Sequence, residues 1–106
     1  MTRAAQRRER IIFLREGAER DAWNQPTGGW GAIGRARAAI YYGAGTERRQ
    51  AAQEQGVQAA SFSCLASELT RSITTADRLE HKGAVWNITA IVPIGRDIDF
   101  TATRAA

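Results

Sequence analysis

The sequence predicts a mainly β fold: a small antiparallel β-barrel or sandwich of five or six strands, with a long central loop and at most short helical turns. Apolar and polar residues alternate in several short segments, and clusters of turn-forming residues separate those segments. The chain has 106 residues, of which 43% are hydrophobic and 25% are charged. This is enough for one modest core, so residues 1–106 are expected to form a single domain.

Two strands are expected in the first part of the chain. Residues 1–9 are polar and rich in arginine, which is typical of a flexible arm. A strand is expected at residues 11–14, a short apolar run bounded by arginines. Residues 16–29 are rich in turn-forming Gly, Asp, Asn and Pro, which predicts a hairpin-type connection. Residues 30–42 alternate again, and the expected core face of this second strand consists of Trp30, Ala32, Ala36, Ala38, Ile40 and Tyr42.

Residues 58–66 predict a third strand and residues 67–76 a loop. The apolar face expected for the third strand consists of Ala60, Phe62, Cys64 and Ala66. The loop is expected to contain one helical turn, because Ser, Thr and Asp residues that cap helices recur in it. The candidate capping residues are Ser72 and Thr75.

The last third of the chain predicts a tight hairpin followed by a closing strand. Lys82 and Gly83 form a two-residue turn signal that joins residues 79–81 to residues 84–92. Pro93 is expected to end that strand, because proline has no backbone donor for the ladder. Residues 97–103 alternate between polar and apolar side chains, as half-buried strands do. The core face expected for residues 84–92 consists of Trp86, Ile88, Ala90 and Val92.

The sequence predicts no catalytic residue, no metal ligand and no cofactor site, so the protein is not expected to be an enzyme. His81 is the single histidine, and its place in a hairpin tip predicts a solvated turn residue. Cys64 is the single cysteine and lies on an apolar face, which predicts a buried and inert thiol. Asp97 and Asp99 are two residues apart on one strand and are expected on its solvated side.

Three segments are the candidates for contacts with a partner. The polar stretch at residues 43–58 is longer than most connections in compact domains, which rarely exceed about 12–15 residues unless they are functional or disordered. Trp23 lies within a turn-rich stretch and is expected to be exposed, whereas Trp30 and Trp86 are expected in the core. The arginine-rich arm can contact phosphates or can simply be a soluble terminus, and its candidate residues are Arg3, Arg7, Arg8 and Arg10.

Charge and hydropathy limit the class of protein further. The net charge is +4, and Lys82 is the one basic residue that is not arginine. No apolar run approaches the ~20 residues of a membrane span, and the N-terminus lacks the apolar region of a signal peptide. A single cysteine fits synthesis in a reducing cytoplasm.

The order of these segments resembles the phage head–tail joining family, also called head-closure or stopper proteins, which includes the version in gene transfer agents. The resemblance spans nearly the whole chain. It departs from the family at residues 62–67, where family members often carry an Ile-Arg-Tyr-like strand. The matching segments are residues 8–13, 21–25, 28–30, 36–40, 45–48, 77–79 and 83–88.

The resemblance implies a structural protein of a phage or phage-like virion, made in the bacterial cytoplasm. Six or twelve copies would form a ring between the portal or its adaptor and the tail terminator or tail tube. The ring would close the capsid around its double-stranded DNA and offer a platform for the tail, with no membrane involved. Residues 43–58 would face the channel or the neighbouring copies, and the residues singled out are Gly43, Gly45, Thr46, Glu47, Arg48, Arg49, Gln50, Gln53, Glu54 and Gly56.

The alternative function is that of a small basic β-barrel that binds single-stranded nucleic acid. Aromatic side chains on such barrels stack on bases, and arginines contact the phosphates. In this chain Trp23 and the arginine-rich arm would supply those two contacts. The predicted barrel therefore leaves two functions open.

Overall fold

A computed structural model describes residues 7–42 and 57–105 of the chain. The described residues form six strands and one short helix. These elements are β1 (Glu9–Glu16), β2 (Trp30–Tyr41), β3 (Val57–Leu65), α1 (Glu68–Ser72), β4 (Arg78–His81), β5 (Ala84–Ile94) and β6 (Asp97–Ala105). Neighbouring strands pair antiparallel, and the sheet closes on itself in the order β1-β2-β3-β6-β5-β4. The predicted mainly β fold is confirmed.

Aromatic side chains fill the interior of the closed sheet. The ring of Phe13 lies 5.2 Å from that of Phe100, in a tilted arrangement. The rings of Phe62 and Trp86 pack edge to face, and their centroids are also 5.2 Å apart. Edge-to-face pairs of this kind add about 0.5–1.5 kcal/mol to what burial alone contributes. Phe62, Cys64 and Ala60 are buried on one face of β3, as predicted.

A β-bulge at Ile33 interrupts the alternation of β2. Phe13 and Leu14 are consecutive on β1, but their partners on β2 are Gly34 and Ala32. Ile33 is therefore an extra residue without a partner, and side chains beyond it point to the opposite face. The continuous face predicted for residues 30–42 does not exist.

Three side chains that were expected on the core face of the second strand are not buried in the structure. Ala38 is buried as predicted, but Ala32 is exposed. Trp30 was expected in the core and instead is only partly buried, with the guanidinium carbon of Arg78 4.1 Å from its ring centroid. A cation over an aromatic face is favourable even at exposed sites. Tyr42 was assigned to the core face as well, but it lies beyond the end of β2 and is exposed.

A second bulge occurs at Thr89 in β5. Ile88 pairs with Ala102, and the next paired residue on β5 is Ala90, so Thr89 is skipped. Ala90 is consequently exposed instead of lying on the predicted core face with Ile88. In its place Ile91 packs against the core. The bulge redirects the second half of the strand.

The second half of β5 differs from the sequence prediction in two further respects. Val92 was expected in the core but is half exposed. Pro93 was expected to end the strand, but pairing continues through Ile94 to the turn at Gly95. β4 pairs only with the first residues of β5, so within residues 7–42 and 57–105 the far edge of residues 88–94 has no strand partner. Proline is tolerated on such an edge because no ladder donor is needed there.

Helix α1 begins at a capping residue that the sequence prediction did not choose. The Ser67 hydroxyl accepts a hydrogen bond from the Thr70 backbone N–H at 3.2 Å, and the Ser67 backbone N–H donates to the Thr70 hydroxyl at 2.7 Å. This reciprocal arrangement is a capping box. The candidates Ser72 and Thr75 were wrong, because Ser72 is the last residue of the helix and Thr75 lies beyond it.

The segment boundaries differ slightly from those expected. β1 begins at Glu9, the last residue assigned to the arm, and β3 begins at Val57, within the stretch assigned to the central loop. The Lys82–Gly83 turn is confirmed, with positive φ angles of 51° and 82° that match a primed hairpin turn. Among the described residues no helix is long and apolar enough to cross a membrane.

Candidate functional site

The connection between β1 and β2 holds the most exposed large side chain of the described residues. Trp23 is 82% exposed. One oxygen of Asp21 accepts hydrogen bonds from the backbone N–H groups of Trp23 and Gln25, each at 2.9 Å. This Asx-type turn orders the tip of the connection, so the exposed indole is presented on a defined backbone. The prediction that Trp23 is exposed is confirmed.

The base of the same connection is also ordered. The Gly17 N–H donates to the Gly29 carbonyl at 2.8 Å, and the Thr27 hydroxyl donates to the Glu19 carboxylate at 2.9 Å. Arg20 and Pro26 form an isolated antiparallel bridge. The predicted hairpin-type connection is therefore an ordered extension of the β1–β2 pair, and it can carry a contact without first paying a large ordering entropy.

Trp23 lies far from the described part of the arginine-rich arm. Arg7, Arg8 and Arg10 are at the start of β1, whereas the connection that carries Trp23 follows its end at Glu16. At about 3.3 Å per residue the strand separates Arg10 from Glu16 by roughly 20 Å. Within the described residues, the two features proposed for single-stranded nucleic acid therefore lie at opposite ends of β1. Arg3 lies outside the described residues.

Arg7 is used within the subunit. Its Nη1 atom lies 2.8 Å from Oδ1 of Asp97, and both side chains are largely buried. Asp97 was expected on the solvated side of its strand, and this is wrong because Arg7 covers it. Asp99, two residues along, remains only partly buried. The pair ties Arg7, which precedes β1, to the start of β6.

His81 is not the solvated turn residue that the sequence predicted. It is only 7% exposed, and its Nε2 atom lies 2.9 Å from Oε1 of Glu9. The ring centroids of His81 and Phe62 are 6.2 Å apart, in an edge-to-face arrangement. The hydrogen bond to His81, followed by the charge of Lys82, lowers the pKa of Glu9. His81 faces inward because the residues of β4 alternate, and Leu79 and His81 are both buried.

Cys64 lacks the environment of a reactive thiol. Burial raises its pKa to about 12, although the charge of Arg7 acts in the opposite direction. A thiol is nucleophilic as the thiolate, so this cysteine is inert near neutral pH. Within residues 7–42 and 57–105 no three His, Cys, Asp or Glu side chains are placed to hold a metal ion.

The singled-out residues of the central loop, Gly43 to Gly56, lie outside the described residues. Tyr42, directly before this segment, and Gln58, two positions after it, both border a pocket of about 220 Å³. Trp86 forms part of the pocket floor, and the guanidinium carbon of Arg104 lies 5.3 Å from the Trp86 ring centroid. His81 contributes one wall of the pocket. The segment therefore leaves and rejoins the closed sheet beside this pocket.

A second concave region lies on the outer face between β2 and α1. It is an open groove of about 410 Å³, and three of its lining side chains are arginines, Arg7, Arg35 and Arg37. Leu65, at the end of β3, lines the same groove and is half exposed. The groove thus combines positive charge with an exposed apolar side chain, which suits an acidic and partly apolar protein surface better than a small neutral molecule.

Sequence reasoning missed the ion pair between Arg15 and Asp77. Asp77 is 3% exposed and receives two hydrogen bonds of 3.0 Å from the Arg15 guanidinium. Burial acts to raise the pKa of Asp77, but the bonds from Arg15 and Thr74 outweigh it, and the pKa lies below its ordinary value. A lone Asp in a loop gives no sequence signal for such a pair, because its partner is 62 positions away.

The described residues therefore form a small scaffold with ordered, exposed contact surfaces and no assembled catalytic group. The molecule belongs to the class of small domains built from one closed antiparallel sheet. Comparison with known families identifies it further. Residues 2–106 match the sequence profile of the phage head completion protein family, and the chain belongs to that family. It is a structural component of a virion.

Two solved structures share the fold. One belongs to the virion of a native gene transfer agent particle, with a TM-score of 0.61 and 17% identity. The aligned region covers 92% of this chain and 93% of that structure's chain. The other is the solution structure of a protein from Shigella flexneri 2a, with a TM-score of 0.61 and 14% identity, and covers 99% and 97%. A search among curated proteins finds no match. The resemblance noted in the sequence to head-closure proteins is confirmed at the level of the family.

Proposed function

We propose that this chain assembles into a ring beneath the portal or its adaptor, where it closes the DNA-filled capsid and presents a platform to the tail. The match of residues 2–106 to phage head completion proteins carries this proposal. The protein then acts by contact and not by turnover. Its partners are further copies of itself, the portal or adaptor protein on one side and a tail protein on the other.

Two surfaces have separate roles in this proposal. The ordered extension that presents Trp23 is suited to a neighbouring protein, because an exposed Trp on a fixed backbone is a typical binding hot spot. Residues 43–56 are the proposed channel segment. Tyr42, directly before them, and Gln58, two positions after them, line the same pocket. A polar segment of this kind can gain order from neighbouring copies in a ring.

Binding of single-stranded nucleic acid is the weaker candidate. It requires Trp23 and the arginines of the arm to act on one strand, but roughly 20 Å of β1 separates them. Arg7 is also engaged with Asp97. In the proposed ring, the protein contacts DNA as the double-stranded DNA in the channel.

Complementation in the producing strain tests the proposed function. The gene is deleted and replaced by wild type, by Trp23→Ala, or by a deletion of residues 44–56, and particles are examined by electron microscopy. We expect DNA-filled, tailed particles from wild type only. Trp23→Ala should give filled heads without tails or heads without the ring, and the loop deletion should give heads that lose DNA.

The matched control is Val85→Ala, which also removes an exposed apolar side chain, but from the outer face of β5. It should support normal particles. If the protein is absent from purified wild-type particles, or if the gene deletion leaves particles filled and tailed, the proposed function is wrong.

A further inference from the structure

A row of positive charge crosses the outer face of three neighbouring strands. Arg10 of β1 and Arg37 of β2 are directly opposite each other in the antiparallel pair, and both are exposed. Ile12 pairs with Glu80 of β4, and Lys82 lies in the turn that follows β4, two residues beyond Glu80. We call Arg10, Arg37 and Lys82 the basic stripe.

The basic stripe is unfavourable in an isolated subunit. Like charges directly opposite in a sheet destabilise it. Across residues 7–42 and 57–105, no acidic side chain pairs with Arg10 or Arg37, while the exposed Lys82 lies 3.5 Å from Glu9. A binding partner that supplies negative charge would relieve this repulsion.

The outer face of the β5–β6 hairpin has the opposite character. Asp99 pairs directly with Val92, and Ile94 lies at the next outward position of the same strand. Val92 is 49% exposed and Ile94 is 51% exposed. Asp99 has no ionic partner among the described side chains, whereas Asp97 is neutralised by Arg7. We call Val92, Ile94 and Asp99 the hairpin surface.

The strand at the centre of the basic stripe, β1, and strand β6 of the hairpin surface lie across the closed sheet from each other. In the order β1-β2-β3-β6-β5-β4, strands β1 and β6 are separated by two strands in either direction around the closed sheet. A ring of identical subunits needs two different, complementary surfaces on each subunit, placed so that each copy contacts the next by a rotation. We propose that the hairpin surface of one copy docks on the basic stripe of its neighbour. This inference rests on the proposed function and specifies its intersubunit contact.

DNA is a less suitable occupant of the basic stripe. The stripe spans three strands, or about 10 Å, whereas stable DNA complexes neutralise roughly 6–10 phosphates. Ile12 flanks the stripe in the next outward row, and its aliphatic side chain does not favour a phosphate backbone. An acidic surface with exposed aliphatic side chains complements this combination, and the hairpin surface supplies one.

Cysteine cross-linking between differently labelled copies tests the contact. The variants Arg37→Cys and Asp99→Cys are purified separately, mixed and oxidised, and disulfide-linked dimers are resolved by mass. We expect the mixed dimer to form at least about tenfold faster than either self-dimer, because the proposed contact brings position 37 of one copy next to position 99 of the other. The native Cys64 does not compete, because it is buried and its thiol is not ionised.

The control pairs Asp99→Cys with Arg20→Cys, an exposed arginine in the β1–β2 connection. This mixture should react at the background rate. The same variants are co-expressed and cross-linked in assembled particles. Preferential self-dimers, or the lack of a mixed dimer both in the concentrated protein and in particles, would overturn the assignment.

Charge exchange provides a second test. Arg37→Asp and Asp99→Arg should each reduce incorporation into particles by about tenfold or more, and the double variant should restore most of it. A double variant no better than the single variants overturns the contact. The contact is also overturned if a DNA duplex of about 30 base pairs binds the wild-type protein and Arg37→Asp is the only variant that weakens this binding. The proposed function fails separately, when wild type is missing from particles although the mixed cross-link forms.

Discussion

Arg15 and Asp77 form a two-point ion pair in which Nε and Nη2 of the guanidinium each lie 3.0 Å from a carboxylate oxygen. The same Nη2 donates to the Ser72 carbonyl at 3.0 Å, and Asp77 accepts the Thr74 N–H at 2.9 Å. The pair therefore ties the segment between α1 and β4 to the end of β1. It holds the short strand β4 in the position where the sheet closes.

Removing the charge of Asp77 should destabilise the fold. We expect Asp77→Asn to lower the free energy of unfolding by about 1–2 kcal/mol, toward the low end for a charged hydrogen-bonded pair because Arg15 is partly exposed to solvent. Urea denaturation followed by Trp fluorescence measures the change. Glu68→Gln, an exposed carboxylate in the first turn of α1, is the control and should change stability by less than about 0.5 kcal/mol. An equal effect of both variants would contradict the role of the pair.

The same pair predicts the direction of the pH dependence. The pKa of Asp77 in the folded protein lies below its ordinary value of 3.8, so the folded state favours the ionised form. The stabilisation is fully present above that ordinary value and is lost as the pH falls through the lower folded pKa. We expect the stability difference between wild type and Asp77→Asn to be constant from neutral pH down to about pH 5 and to shrink below pH 4. A difference that grows with acid would contradict this sign.

The capping box of α1 predicts unequal effects for two serines of one helix. Ser67→Ala removes the hydroxyl that accepts the Thr70 N–H and should lower the free energy of unfolding by about 1 kcal/mol. Ser72→Ala is the control, since its hydroxyl donates only to the Leu69 carbonyl at an exposed position. Thermal and urea unfolding of the two variants decide the matter, and a larger loss for Ser72→Ala would refute the capping assignment.

Two glycines of β2 differ in what surrounds them. A Cβ at Gly31 would overlap the backbone of Ala18 and Glu19, whereas a Cβ at Gly34 would meet only the end of the Leu69 side chain. The backbone cannot move aside as a leucine rotamer can. We therefore expect Gly31→Ala to destabilise the protein by about 1–3 kcal/mol and Gly34→Ala by clearly less. Denaturation midpoints in the reverse order would be evidence against this packing.

The buried thiol predicts slow chemical labelling. With a pKa of about 12 in place of 9.0, the thiolate fraction of Cys64 near pH 8 falls by roughly a factor of 1,000. We expect a thiol reagent to react with the native protein at a rate set by unfolding and with the denatured protein at once. The Arg37→Cys variant supplies an exposed thiol as the control. Fast labelling of Cys64 in the native state would show that the core of β3 is open.

The alternating strands and the tight turn could be predicted from the sequence because both signals are local. Residues 97–103 alternate in the sequence and lie within β6, and the Lys82–Gly83 turn joins β4 to β5. The same holds for the exposure of Trp23, which follows from the turn residues around it. Each of these features depends on neighbours a few positions away.

The two bulges and the buried polar groups could not be predicted in this way. Ile33 and Thr89 are skipped because of the registers that β1 and β6 impose, and a shift of one residue moves every later side chain to the other face. His81 and Asp97 are covered by Glu9 and Arg7, which are 72 and 90 positions away. Pairing register and the burial of a charge are properties of the closed sheet, because the partner strands alone determine which residues come into contact.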